Sequence, residues 1–170
     1  MVSLSIALRQ IVLIRFPFGG SVTLGKYVPL ILLSYKSGTK TAVLASFAYS
    51  VINLIFSFKI PPVKNFYYFA LLIFLEYFLP YMLVGFVSFL GWGIRNKNLR
   101  IYASVVTLFI LKILLSSISG IVFWSEYIPK EFNIWSYCII YNSAYLIPEC
   151  LITLILLKYM ISRSHNFLSG

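Results

Sequence analysis

Only four carboxylates serve this chain of 170 residues, and one of them, Glu76, stands in FLEYFLPY (74–81), deep in a stretch otherwise suited to lipid. Burying an unpaired anion in hydrocarbon costs on the order of several kcal/mol, so Glu76 requires a cationic partner, a proton, a wet cavity or a ligand. Counted inward from Tyr67 at 1.5 Å per residue, it lies roughly 14 Å deep, which suits a pocket open at one membrane face. Pairing with a buried Lys or Arg would make it a helix-registering group. Intramembrane acids otherwise mark ligand, ion or proton pathways.

Other residues share that depth. Glu149 and Lys112 both fall near the middle of apolar runs. A Lys112 to Glu149 ion pair would neutralise two charges that lipid cannot hold separately, and it is expected as a structural pair that leaves Glu76 without a basic partner. Tyr137, Tyr141 and Tyr145 recur every four residues along one side of the last run, with Asn142 beside them. An interfacial aromatic belt accounts for some of these rings. The Asn142 amide needs hydrogen-bond partners, which a polar heteroaromatic ligand would supply. Ser116, Ser117, Ser119 and Gly120 form a small-residue patch, read either as a close helix contact or as a pocket wall. Trp124 and Trp135 bracket the next loop, and either could be a stacking plate. Aromatic faces around one buried carboxylate make a cage for an organic cation. In FPFGGSVTLG (16–25), a Gly19, Gly20 turn flanked by Phe16 and Phe18 is either an ordinary loop or a lid over the bound molecule.

The elements that must position these groups are membrane helices. The chain is 61% hydrophobic and 11% charged with mean hydropathy +0.93, the composition of an integral membrane protein. Apolar runs cover roughly 2–14, 22–35, 41–58, 67–90, 101–123 and 135–160, predicting an all-α fold of six transmembrane helices. The first is too short to cross a core of about 30 Å. The second is short and interrupted by Lys26, which places part of it at the interface or against a cavity. Residues 1–163 form one membrane domain, and 164–170 a short polar tail.

The +10 charge comes from basic residues in short gaps between apolar runs, where they set topology and meet lipid headgroups; no soluble basic face exists to bind nucleic acid. Lys36, Lys40, Arg95, Lys97, Arg100, Lys158 and Arg163 share one side, against Arg15, Lys59, Lys64 and Lys130, offset by Glu126 and Glu131, on the other. Both termini are therefore expected in the cytoplasm. Cys138 and Cys150, on one predicted helix roughly 18 Å apart, are beyond disulfide reach. There is no Walker A pattern, paired histidine or cysteine cluster, which excludes an ATPase or zinc enzyme; no catalytic residue, metal site or cofactor is expected.

Four stretches, FPFGGSVTLGKYVPLILLSYKSGTKTAVLASFAYSVINL, LEYFLPYMLVGF, ISGIVFWSEYIP and WSYCIIYNSAYLIPECLITLILL, resemble the thiamine-specific S component of energy-coupling factor (ECF) vitamin transporters, from about Phe16 to Lys158. The resemblance implies an S-component-like bundle in a prokaryotic cell membrane that captures thiamine from outside and performs no chemistry. It also implies docking on a transmembrane coupling protein and two ATPase subunits, whose ATP hydrolysis drives reorientation of the loaded subunit. By resemblance the substrate-binding residues are Glu76, Tyr77, Gly120, Trp124, Tyr137 and Asn142; Phe18, Gly19 and Gly20 make up the lid loop read above from its glycines and aromatic flank. Ser116 stands where the family carries a pocket histidine, which admits a thiamine precursor such as hydroxymethylpyrimidine as the alternative ligand. Ser3 and Ala7 remain as the small-residue pair for docking. Rival readings from other classes are a membrane scaffold whose polar residues only register helices, and a proton-linked carrier using Glu76.

Overall fold

The computed structural model describes residues 1–17, 19–58, 65–129 and 131–163. Phe18 of the expected lid, Lys59, Lys64, Lys130 and the tail 164–170 lie outside the described residues.

The first apolar run divides. Helix α1 (Val2–Gln10) ends, and Ile11 leads into strand β1 (Val12–Arg15), which pairs antiparallel with β2 (Ser21–Thr23) in the register Val12↔Thr23, Ile14↔Val22, Arg15↔Ser21. The expected helix over 2–14 is thus corrected beyond residue 10. Branched Ile11, Val12 and Ile14 favour a pleated surface, and the SVT segment offers a partner edge.

The second and third runs join as α2 (Val28–Ser57), broken at Gly38, where φ is 82° and ψ is 164°. Tyr27 and Tyr49 both pack on Tyr81, with ring centroids 6.1 and 5.2 Å away, so their rings lie no more than about 11 Å apart, whereas a straight helix would separate them by roughly 33 Å. The chain therefore reverses at Gly38, and α2 is two arms folded back beside one another. That backbone conformation is essentially reserved for glycine. A Cβ at Gly38 would meet nothing within 4 Å. Gly38→Ala should therefore act through backbone strain alone, lowering stability by about 1–3 kcal/mol in thermal unfolding of the solubilised protein; an unchanged midpoint would contradict the reversal.

The fourth run is α3 (Phe66–Ile73), a wide turn (Phe74–Phe78), α4 (Leu79–Gly85) and the short α5 (Val87–Leu90). The last two runs are α6 (Lys97–Phe123) and α7 (Ile134–Arg163). All three rods start on asparagine caps: Asn65 Oδ1 accepts from Tyr67 N–H, Asn96 Oδ1 from Asn98 and Leu99, and Asn133 Oδ1 from Trp135 and Ser136.

Among the described residues six helical runs are present, and four stretches are long and apolar enough to cross a membrane: Val28–Phe56, Phe66–Gly85, Lys97–Phe123 and Ile134–Arg163. Burial is inverted relative to a soluble protein. On α7, Ile140, Ile147, Leu151 and Ile155 face outward while Asn142, Glu149 and Thr153 are buried. Only a lipid surround makes that arrangement favourable. The core joins Leu30, Ile31 and Tyr49 of α2 to Val84, Val105, Leu108 and Leu157. On α1, Ser5 is buried and Val2 and Ile6 pack on this core, leaving Ser3 and Ala7 on the exposed side.

Candidate functional site

Pro80 shapes the site's acid. Proline has no N–H to return to the carbonyl four residues back, and its ring crowds that carbonyl, so the preceding turn widens to five residues over Phe74–Phe78. Within this turn Glu76 and its neighbour Tyr77 both come to line one cavity of about 340 Å³. Glu76 Oε1 accepts from Trp124 Nε1–H at 2.7 Å and from the Ser119 hydroxyl at 2.8 Å. Among the described residues Oε2 takes no hydrogen bond, and the carboxylate meets neither an ammonium nor a guanidinium. Charge-assisted bonds to one oxygen anchor the group and leave the other available.

The opposite wall is the tyrosine ladder of α7. Tyr137 and Tyr141 stack with centroids 6.4 Å apart and an interplanar angle of 6°, and Tyr145 meets Tyr141 edge-on at 5.8 Å. The Asn142 amide already has protein partners: Nδ2 donates to Cys138 O at 2.8 Å and to Ser117 Oγ at 3.4 Å, and Oδ1 accepts from Tyr145 O–H at 2.7 Å. What it retains for a guest is the second lone pair of Oδ1. Ser116 lines the same cavity as Tyr145. Gly120 lies where α6 and α7 approach closely, since a Cβ there would stand 3.1 Å from Cys138 Sγ.

The hairpin turn covers this wall. Phe16 packs on Tyr141 and Tyr145 at 6.2 and 6.1 Å, and Gly20 N–H donates to Tyr141 Oη at 3.4 Å. A Cβ on Gly20 would come within 2.6 Å of the Tyr145 ring, so only glycine lets the turn lie this close.

Every sequence-named binding residue, Glu76, Tyr77, Ser116, Gly120, Trp124, Tyr137 and Asn142, lines this cavity, as do Gly19 and Gly20. Trp135 does not; it is exposed. The expected Lys112 to Glu149 ion pair is not formed. Lys112 Nζ donates to Pro80 O at 3.1 Å and lies 4.2 Å from the centre of the Tyr27 ring and 4.8 Å from that of Tyr81. Glu149 instead accepts from Thr23, through its N–H at Oε2 and its hydroxyl at Oε1, the latter at 2.6 Å. The hairpin inserts Thr23 at the carboxylate, which leaves no short approach for the ammonium.

The sequence profile of the thiamine transporter protein family matches residues 1–168. The chain belongs to that family. The thiamine transporter ThiT of Bacillus subtilis strain 168 is 25% identical over 168 residues, covering 92% of this chain and 83% of its own length. A solved structure of ThiT from Listeria monocytogenes superposes with a TM-score of 0.76 at 14% identity, covering 98% of this chain and 92% of that one, and so shares its fold. This family member is a multi-pass membrane protein, its helical arrangement repeated in that neighbour.

Sequence reasoning missed Arg9, Tyr27, Asn53 and Tyr81, which also line the cavity. Tyr81 was within reach, because it lies five residues after Glu76 and follows the proline. Arg9 and Tyr27 gave no signal, since neither sits at the depth of the site in a linear count of helical runs.

Proposed function

We propose that this chain is the substrate-capture subunit of an ECF-type importer and that thiamine binds in the cavity between Glu76, Trp124 and the α7 tyrosines. The observation that carries the reading is the split role of Glu76: one oxygen held by Trp124 and Ser119, the other open to an aromatic-walled cavity. Thiamine is an aminopyrimidine joined to a cationic thiazolium ring. Glu76 Oε2 and Asn142 Oδ1 are acceptors for the amino group, the Tyr137 hydroxyl serves a ring nitrogen, and Trp124, its plane fixed by the bond to Glu76, stacks on the pyrimidine. The carboxylate balances the ligand's positive charge in a poorly hydrated site.

The hairpin turn acts as the lid, hinged at glycines and anchored at Thr23. The subunit performs no chemistry; hydrolysis of ATP belongs to two partner ATPases joined through a transmembrane coupling protein. The exposed Ser3 and Ala7 of α1 permit close helix approach by that partner. Both termini lie on its side of the membrane.

Titration of the purified subunit tests this directly. Trp124 is one of three tryptophans and the only one lining the cavity among the described residues. Thiamine should quench its fluorescence saturably, riboflavin should not, and hydroxymethylpyrimidine should compete only weakly. Absence of saturable binding by either pyrimidine would return the chain to the scaffold reading, and uptake into liposomes without ATP or partners would favour a lone carrier.

A further inference from the structure

The end of the bundle where α6 begins is built around Ser88. Its hydroxyl accepts from Ser34 Oγ at 2.8 Å and lies 3.1 Å from Thr39 Oγ1, beside the reversal at Gly38, while its carbonyl accepts from Arg100 Nη2 at 2.9 Å. The α2 reversal, α5 and the first turn of α6 thus meet on one residue. Gly91 keeps the intervening loop tight against them, since a Cβ there would collide with Ser104 Oγ and Arg100 Cγ. The Arg100 guanidinium is therefore held in place, and its Nε is buried with no partner among the described residues. Lys40, one residue past Thr39, and Arg95, one before the Asn96 cap, are exposed at this same end. None of the chain's four side-chain carboxylates is there: Glu76 and Glu149 are held within the bundle, and Glu126 and Glu131 follow α6 at its far end, about 40 Å away. The loop also presents two rings. Phe89 and Trp92 stack with centroids 6.0 Å apart and 22° between planes, and they are 61% and 79% exposed.

We infer that this end of the bundle is a binding site for an anionic phospholipid, whose headgroup phosphate is taken by Arg100, Lys40 and Arg95 while the upper part of its acyl chains lies along Phe89 and Trp92. Charge complementarity selects an anion, because cations gathered where the chain supplies no side-chain acid draw their counter-charge from outside. The rings select a lipid among anions. Phe86 and Leu99, both exposed, continue the aromatic strip into the surface that the spans turn toward acyl chains, and an indole settles at such a boundary with its N–H at headgroup level. A free phosphate would leave those rings uncovered. Basic residues are drawn to an acidic leaflet diffusely wherever they stand. What sets this place apart is the clamp of Ser88 on Arg100: a planar fork already fixed in one orientation matches phosphate geometry and loses little freedom on binding it. The site is separate from the vitamin cavity, which none of these side chains lines.

Quenching of Trp92 by brominated lipid reads the inference in the intact chain. The protein is reconstituted in phosphatidylcholine bilayers in which one lipid in ten is phosphatidylglycerol, with bromine carried either by the phosphatidylglycerol or by an equal share of the phosphatidylcholine; subtracting the emission of Trp92→Phe isolates the Trp92 signal. Brominated phosphatidylglycerol should quench that signal about threefold more, the enrichment expected beside several clustered cations. The ratio should fall toward one in Arg100→Gln and in the double variant Lys40→Gln, Arg95→Gln. The double variant leaves the Ser88 contact intact and covers the chance that Arg100→Gln loosens the fold. Lys158→Gln with Arg163→Gln, which removes two cations from the same membrane face on α7, should leave the ratio unchanged. An equal fall in that variant would mean diffuse attraction to the leaflet and would overturn the site, as would a wild-type ratio of one or a ratio unmoved by the substitutions in Arg100, Lys40 and Arg95. Inorganic phosphate and polyglutamate, each added to the reconstituted protein, should leave the wild-type ratio unchanged. Narrowing by phosphate would assign the cations to a soluble anion and narrowing by polyglutamate to an acidic protein surface, and either result overturns the inference.

Discussion

Thiamine affinity should drop by roughly a hundredfold in Glu76→Gln, a loss of about 3 kcal/mol, the scale of a charge-assisted hydrogen bond removed together with its charge. Glutamine preserves the side chain's length, and its carbonyl oxygen can still accept from Ser119 and Trp124 as Glu76 Oε1 does now. What changes is the second atom, which turns from an acceptor into an amide donor facing the ligand's own amino group. The charge that balances a cationic guest disappears with it. Trp124→Ala should cost a comparable amount for a different reason: it removes the stacking face, worth about 1–3 kcal/mol for a heteroaromatic ring, and frees the carboxylate it orients. Because that variant also loses the reporter indole, calorimetry is the measurement. Wild-type affinity in both variants would remove the site assignment.

How legible this site was in the sequence follows from what a linear count preserves. A lone acid within an apolar run is conspicuous, so Glu76 stood out, and small residues and aromatics at matching height on other runs pointed to its neighbours. Height is all that counting gives. Glu149 and Lys112 share a level near midspan, which made a pair plausible, but which groups meet depends on the direction each helix face points and on what the loops insert. Here a loop decided it, because β2 brings Thr23 to Glu149. The same limit hid Arg9 and Tyr27. The helix-to-strand change at Ile11 was ambiguous because a short apolar run fits either period. The gap at residues 36–40 was read correctly as a break between runs, although a single glycine makes the reversal. The asparagine caps at Asn65, Asn96 and Asn133 were available to sequence reasoning and would have fixed three helix starts.

Glu149 carries the largest stability effect expected outside the ligand cavity. Its carboxylate is fully buried and bonds both Thr23 donors, tying the hairpin to α7 across 126 residues of sequence. Glu149→Leu leaves a buried N–H and hydroxyl without an acceptor and removes the negative charge nearest Lys26 and Lys112. The loss should be on the order of 3–5 kcal/mol, as for other broken buried charge clusters. Glu149→Gln should fall between that variant and wild type, because its amide oxygen still accepts one of the two bonds. Thr23→Val, which keeps the charge and the backbone bond, should cost only about 1 kcal/mol. Thermal unfolding of the solubilised protein ranks the four. The decisive comparison is the swap Lys112→Glu, Glu149→Lys. If Thr23 is the true partner, the swap places an ammonium against the Thr23 N–H and a carboxylate against Pro80 O, two repulsive contacts in place of two favourable ones, so it should be less stable than either single change. Recovery of stability in the swap would mean that the two side chains attract one another directly and that Thr23 is incidental.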